Sequence, residues 1–308
     1  MVALTAGYSM NGYVATLGID VEDWYHAENV QPACPRATWE QCESRVEASV
    51  GRLLEILDET DTKATFFVLG CLAEKYPGTL VERIAHAGHE LGSHGYSHHL
   101  LSRLSDAEFQ EDAYRSKAVV EDITGRPVLG YRAPSFSIHL RALEILSELG
   151  YIYDSSLNRV WASSRYGRIC ASKMKKTGRI YRVGDLYEVP MSRLKLFGVV
   201  PVPLSGGGYF RLFPWPVWRL GVRRILSQQG FYNFYLHPWE IDPGFPKVRN
   251  ISLLNRFRHH VNLDKTEGRF RALLETIKFR PVSQALPEGP RLLKKFGRGG
   301  GTGLKVER

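Results

Sequence analysis

The sequence predicts an α/β protein built on a mostly parallel sheet or barrel. Short apolar runs alternate with stretches of helical periodicity along its 308 residues, which is the pattern of βα units. Residues that carry chemistry recur just past the apolar runs: Asp20, His94, Arg132, Asp154 and His237. In parallel α/β architectures the carboxyl ends of the strands meet on one face, so these five residues are expected to share it. With 44% apolar and 24% charged residues the chain has an ordinary globular balance and enough apolar material for a sizeable core.

Each element follows in order. Val14 to Asp20 reads as the first strand and stops at the acidic stretch Asp20-Val21-Glu22-Asp23. Val46, Val50, Leu53, Leu54 and Leu57 recur at three-to-four spacing, the stripe of an amphipathic helix. Ala64 to Leu69 is the second strand, halted by Gly70. A helix carrying Leu80, Ile84 and Ala87 stops at Gly88, and His89 to Ser93 is a short strand running into His94-Gly95-Tyr96-Ser97-His98. Ser105 with Glu108 three residues on forms a capping box, which opens a helix with Phe109, Ala113, Val120 and Ile123 closed by Gly125.

Val128 to Tyr131 is a strand leading into Arg132-Ala133-Pro134-Ser135-Phe136. The helix Arg141 to Leu149 ends at Gly150, and Tyr151 to Tyr153 is a strand before Asp154. Between Pro190 and Trp215 the pattern is irregular and contains Ser205-Gly206-Gly207-Gly208-Tyr209-Phe210-Arg211. Three glycines without a following Lys-Ser/Thr pair do not make a phosphate loop, so this block is a turn or a lid facing substrate. Trp215 to Gly230 is helical, Phe231 to Leu236 is a strand, helices lie near 253–261 and 266–277, and a short apolar run covers 279–282. No linker or repeat interrupts the pattern, which predicts a single domain over 1–290 with a C-terminal helical extension from about residue 205.

The net charge is +9, of which the tail 291–308 supplies +5 from six basic residues against Glu307. That tail is glycine-rich and is expected to be disordered; contact with a membrane surface through it is an expectation of charge alone. No nucleic-acid motif is present. No apolar run reaches membrane-spanning length, and the N-terminus lacks a secretory pattern, so a cytoplasmic location is expected. Cys34, Cys42, Cys71 and Cys170 show no metal-binding spacing and are expected to be reduced thiols.

His94 and His98 are four residues apart. On a helical turn their imidazoles would share one face, with Cβ atoms about 5–6 Å apart, and would reach one divalent ion at about 2.0–2.1 Å. Two histidines and one carboxylate leave coordination positions open, which marks a catalytic site. Hydrolysis of a carbonyl by activated water needs three further groups. Asp20 is the candidate base and His237 the candidate acid. Arg132, a permanent cation, is the candidate partner that holds Asp20 oriented and ionised. Asp154-Ser155-Ser156 reads either as a helix N-cap or as support for the site from behind its ligands.

The order Asp-x-Glu-Asp, Ser-His-x-x-x-His, Arg-x-Pro-x-Phe, Asp-Ser-Ser and Leu-His resembles the polysaccharide deacetylases of the NodB-homology type, carbohydrate esterase family 4. The run Phe234 to Asp242, the Gly206 to Arg211 block and Asn262 to Gly268 look like a subgroup with an extra C-terminal region, associated with bacterial exopolysaccharide loci. The resemblance covers roughly Val14 to Pro281. It implies a distorted (β/α) barrel of about seven strands that removes N-acetyl groups from amino sugars of a polysaccharide or its precursor. The implied cofactor is a divalent metal, zinc foremost, with cobalt or nickel as alternatives.

Carried over residue by residue, Asp20 is the base, His94 and His98 are metal ligands, Arg132 is the partner of Asp20 and His237 is the acid. The departure lies at the first motif, where the common form has two adjacent aspartates and this chain has Val21 after Asp20. Either Glu22 or Asp23 must then be the third ligand. Strand alternation puts Glu22 on the side of Asp20, whereas a turn beginning at Asp20 favours Asp23. Trp24, Tyr25, Phe136, Tyr209 and Trp239 are candidates for stacking on sugar faces. Two other readings share the cleft: a hydrolase of another C–N bond, such as a cyclic ureide, and a polysaccharide-binding protein without catalysis.

Overall fold

The computed structural model describes residues 12–158, 169, 174–196 and 199–287. In chain order the regular elements begin with β1 (Val14–Val21), α1 (Val46–Glu59), β2 (Thr65–Val68), α2 (Gly70–Lys75), α3 (Arg83–His86), β3 (Glu90–Ser93), α4 (Asp106–Thr124), β4 (Gly130–Tyr131), α5 (Leu140–Glu148) and β5 (Tyr153–Asp154). Then come β6 (Lys175–Thr177), β7 (Ile180–Val183), β8 (Leu186–Glu188), β9 (Arg193–Leu196), β10 (Val200–Pro203), α6 (Gly207–Leu212), α7 (Trp215–Gln229), β11 (Phe231–Leu236), α8 (Leu253–His260), α9 (Leu263–Thr276) and β12 (Phe279–Arg280).

Seven strands in the order β11-β1-β2-β3-β4-β5-β8 pair in parallel, and β12 adds to the start of β1. The antiparallel β7 and β6 continue from β8. The two ends of the parallel run come together without a ladder. Asn233, in the middle of β11, places its Nδ2 at 3.4 and 3.3 Å from the carbonyls of Val189 and Pro190, just past β8, and at 3.1 Å from Ser155 Oγ. Its Oδ1 accepts from Thr16 Oγ1 at 3.0 Å. The Asn233 side chain, together with its own backbone amide donating to Ser192 Oγ at 2.8 Å, thus bridges the gap in a distorted seven-stranded barrel.

The sequence pattern accounts for most of this. β1, β2 and β11 are mostly apolar and buried along nearly their whole length because both of their faces are covered, and the stripe Val46, Val50, Leu53, Leu54, Leu57 of α1 is buried in the same core. The capping box of Ser105 and Glu108 is present, and α4 ends at Gly125.

Two stretches differ from the pattern reading. The helix around Leu80 to Ala87 differs in its first part: after Tyr76, at φ −131° and ψ 56°, separates it from α2 ahead of Pro77, Pro77–Glu82 is π-helical and runs directly into α3. The irregular 190–215 stretch holds an antiparallel hairpin, β9–β10, and the helix α6. Pro201 and Pro203 hid the hairpin, because prolines disqualify all but an edge strand.

Gly206 explains the glycine block. It bridges Tyr235 of β11 at φ +138°, and a Cβ there would lie 1.9 Å from the Tyr235 carbonyl oxygen. The block is therefore a close backbone approach that seats α6 on the barrel. Cys34, Cys42 and Cys71 are free thiols. Cys170 and the basic tail lie outside the described residues, and no helix among those described is long and apolar enough to cross a membrane.

Candidate active site

The carboxyl ends of β1, β3, β4 and β11 carry Asp20, His94, Arg132 and His237, as the positional argument requires. They meet beside a cleft of about 430 Å³ whose lining includes Asp20, Glu22, His98 and His237.

Just past β1 the chain turns tightly, with the Glu22 amide donating to the Asp20 carbonyl at 2.9 Å. This swings the Glu22 carboxylate toward the histidines: its Oε1 lies 3.0 Å from Nε2 of both His94 and His98. Asp23 goes the other way. Its carboxylate accepts from Ser44 Oγ at 2.9 Å and from the amides of Arg45 at 2.8 Å and Val46 at 3.1 Å. Those are orphan donors at the start of α1, so Asp23 fastens the loop to that helix. The His94–His98 segment is a loop with His98 at φ 56°, not the helical turn that the i, i+4 spacing suggests; the imidazoles converge nonetheless.

Glu22, His94 and His98 present ligand atoms within 4.8 Å of one another, all buried. His94 Nδ1 is 2.7 Å from the Arg132 carbonyl, which can only accept, so Nδ1 carries the proton. In a neutral ring Nε2 is then a bare lone pair aimed at a carboxylate oxygen. Two lone pairs facing each other out of water call for a cation between them. The donor set fits a divalent ion of zinc type, and the carbonyl contact is the support such histidines normally have. Burial raises the Glu22 carboxyl, but positive charge beside it, at His98 and His237, and the close ring nitrogens of His94 and His98 hold it well below the usual carboxylate range.

Arg132 is fully buried. Its Nη1 donates to Asp20 Oδ1 at 2.7 Å, while Nε and Nη2 donate to the Ser155 carbonyl and Oγ at 2.9 Å each. The guanidinium lies 4.2 Å from the Phe67 ring centroid, and Gly18 leaves it room: a Cβ there would be 2.3 Å from Nη1. Every part of the fork is used, so the Asp20 carboxylate is held in one orientation.

His237 Nδ1 donates to Glu240 Oε1 at 2.7 Å, and its Nε2 lies 3.8 Å from Glu22 Oε1. Glu240 Oε2 accepts from Arg211 Nε at 2.7 Å, and both of these charges are buried. Arg211 also donates to the carbonyls of Arg258 at 2.9 Å, His259 at 2.9 Å and Val261 at 3.2 Å, which ties the end of α8 into the site. Burial pushes the His237 imidazolium down, but the Glu22 charge, the hydrogen bond to Glu240 and the charges of Glu240 and Asp20 outweigh it and raise the pKa to about 9.

Of the aromatic candidates, Phe136, Tyr209 and Trp239 line the cleft. Trp24 and Tyr25 do not. They belong to a buried cluster, Trp24 stacking on Phe245 with centroids 6.0 Å apart and donating from Nε1 to the Glu43 carbonyl. Asp154 caps no described helix; it accepts from the Ser156 amide at 2.9 Å and Oγ at 2.7 Å, and Ser156 Oγ accepts from the Ala133 amide. It braces the strand end that carries Arg132.

The sequence reading missed Glu240 and Arg211. Glu240 had a signal, three residues after His237 on a turn that begins with Pro238. Arg211 had none beyond its place in the glycine block.

A family described as polysaccharide deacetylase matches residues 36–153, and one described as a domain of unknown function (DUF3473) matches residues 155–287. The peptidoglycan-N-acetylglucosamine deacetylase of Bacillus cereus is 32% identical over 162 residues, 48% of this chain and 58% of that protein. The peptidoglycan deacetylase of Helicobacter pylori is 32% identical over 111 residues, 36% of this chain and 38% of that protein. The chain thus spans less than two thirds of the length of these curated relatives. In fold it is similar to a Mycobacterium smegmatis protein provisionally described as a polysaccharide deacetylase, with a TM-score of 0.59, 19% identity and 98% of each chain covered.

Proposed function

We propose, from the match of residues 36–153 to the polysaccharide deacetylase family, that this chain is a metal-dependent hydrolase that removes N-acetyl groups from amino sugars of a polysaccharide or its precursor. The observation that carries this reading is the meeting of three units at one cleft: Asp20 with Arg132, Glu22 with His94 and His98, and His237 with Glu240.

A divalent ion held by Glu22, His94 and His98, zinc by the chemistry of the donors, supplies Lewis-acid polarisation of the acetamide carbonyl and eases deprotonation of water. Asp20, its Oδ1 held by Arg132, takes the proton of the attacking water at the carboxylate oxygen left free. His237, protonated at neutral pH, hands the Nε2 proton to the departing amine while Nδ1 stays bonded to Glu240. Water and acetamide become acetate and the free amino sugar, with one proton taken and one returned. Phe136, Tyr209 and Trp239 line the cleft, and of the three the half-buried Tyr209 is the ring open to a sugar face, Phe136 and Trp239 being buried.

The test is acetate release from N-acetylglucosamine oligomers by the full chain, before and after metal stripping and after zinc is restored. Activity that falls on stripping, returns with zinc and is lost in His94→Ala and Asp20→Asn is the expected result. A stripped protein that releases acetate at the full rate overturns the reading.

A further inference from the structure

The exposed apolar surface of this chain is not scattered. Of the large apolar side chains exposed among the described residues, every one but Tyr114 falls between residues 199 and 257. The same region is the cationic one: residues 207–260 contain eight Lys and Arg against two acids, and both acids are already spent. Glu240 is buried on Arg211, and Asp242 pairs with Arg45 at 2.5 Å.

The two properties coincide on α8. Leu253, Leu254 and Phe257 are 73%, 56% and 53% exposed. Both leucines lie one turn from Phe257, so the three form a single stripe. Arg256 and Arg258 are exposed beside it, and Lys247 and Arg249 are exposed on the segment just before. The opposite side of the helix is anchored, His259 being fully buried and the last carbonyls held by Arg211. Phe257 and Arg258 also line the cleft, as does the half-exposed Leu212 at the end of α6.

We propose that α8, with Leu212, is a docking surface for anionic phospholipid, which seats the mouth of the cleft against a membrane. A short helix with an exposed aliphatic and aromatic stripe flanked by arginines has the composition of an interfacial helix, and free cations beside it add attraction to an anionic leaflet. A second copy of the chain is disfavoured because two faces with this charge repel. The tail 291–308 carries the same sign. An anionic glycan would use the arginines but has no alkyl phase for two exposed leucines and a phenylalanine. Docking here would bring the cleft to glycan presented at a lipid surface, and the inference stands independently of the chemistry proposed above.

The experiment is flotation of the full chain with phosphatidylcholine vesicles and with vesicles that also contain phosphatidylglycerol. Binding is expected only to the second kind. The double variant Leu253→Asn/Leu254→Asn should weaken it by about tenfold or more, and each of Lys247→Gln and Arg256→Gln by about fivefold, while far-UV circular dichroism and acetate release from a soluble oligomer stay at wild-type levels. Absence of flotation in the wild type, or full binding by the leucine variant, overturns the proposal. So does binding to dextran sulfate in place of vesicles, which would make the face a polyanion site. Loss of a dimer on size exclusion in the leucine variant without vesicle binding would make it an interface between copies. Flotation without acetate release would fail the hydrolase reading alone, and acetate release without flotation would fail this one alone.

Discussion

Gly18→Ala tests the Asp20–Arg132 unit without touching either charge. Gly18 lies two residues before Asp20 on β1, and an added Cβ would stand 2.3 Å from Arg132 Nη1, 2.8 Å from Nη2 and 2.9 Å from Cζ. Ordinary contact begins at 3.4 Å, so the guanidinium must retreat by about 1.1 Å. It has nowhere easy to go, because its three nitrogens are committed to Asp20 and Ser155 and its plane rests on Phe67. A retreat of that size breaks a 2.7 Å ion-pair hydrogen bond. Misplacing a reacting group by about 1 Å costs on the order of 100-fold in rate, or about 2.7 kcal/mol in barrier. Overpacking should cost about 1–3 kcal/mol in stability.

The assay is kcat/KM for acetate release together with urea unfolding. Gly51→Ala is the control, since its Cβ also makes a close contact, 2.9 Å from Arg83 Nη1, but with the end of an exposed side chain that can swing away. That variant should keep full activity and lose no stability, helped by the helix preference of alanine over glycine in α1. Gly18→Ala at wild-type kcat/KM would refute the claim that Arg132 sets the position of the base.

Three further outcomes follow from the packing. Arg211→Met takes from the buried Glu240 carboxylate one of its two cationic partners, leaving it His237 alone, and removes the donor to three carbonyls; it should cost about 3 kcal/mol by urea unfolding, and a loss below about 1 kcal/mol would mean that the ion pair is not buried as described. Tyr209→Ala should raise KM about tenfold with kcat retained, whereas Trp24→Phe, in the buried cluster, should leave KM within about twofold; the reverse order would put the sugar elsewhere. Asp154 and Glu188 face each other across β5 and β8, both fully buried, and burial together with the Asp154 charge raises the Glu188 carboxyl well above its ordinary 4.5. The folded protein keeps a proton there that the unfolded chain releases above that value. Wild-type stability should therefore fall as pH rises from 4.5, while Glu188→Gln escapes that loss, and a stability difference that stays flat up to neutral pH would show the pair is not protonated.

Much of the site was legible because its residues sit at strand ends, and strand ends are visible as apolar runs followed by polar chemistry. What stayed hidden depended on partners far away in the chain. Glu22 and Asp23 could not be ranked from alternation, because the decision is made by Ser44 and the first amides of α1 some twenty residues later, which claim Asp23. Trp24 and Trp239 look alike in sequence. Only the fold tells that both belong to one buried cluster and that Trp239 alone also reaches the cleft, stacked on His237 with centroids 5.4 Å apart. Arg211 was silent because its role needs α6 and α8 side by side, a contact that no local period encodes.

The division of labour within the chain bears on what the C-terminal extension is for. In the mechanism proposed above, the sequence up to Asp154 provides the base, its arginine and the carboxylate–histidine cluster, but no acid. The acid arrives on β11, which is held to β1 over six residue pairs from Val14–Phe231 to Ile19–Leu236, and its orientation is fixed by Glu240. Glu240 is in turn fixed by Arg211, and Arg211 by the carbonyls that end α8. The glycines before Arg211 let the backbone meet Tyr235, where the Tyr235 amide donates to the Ser205 carbonyl at 2.7 Å. The extension is therefore not an appendage to a finished barrel. A chain cut before residue 205 would lose one edge of the β1 ladder and the proposed proton donor together, so the same residues that complete the fold would complete the proposed reaction.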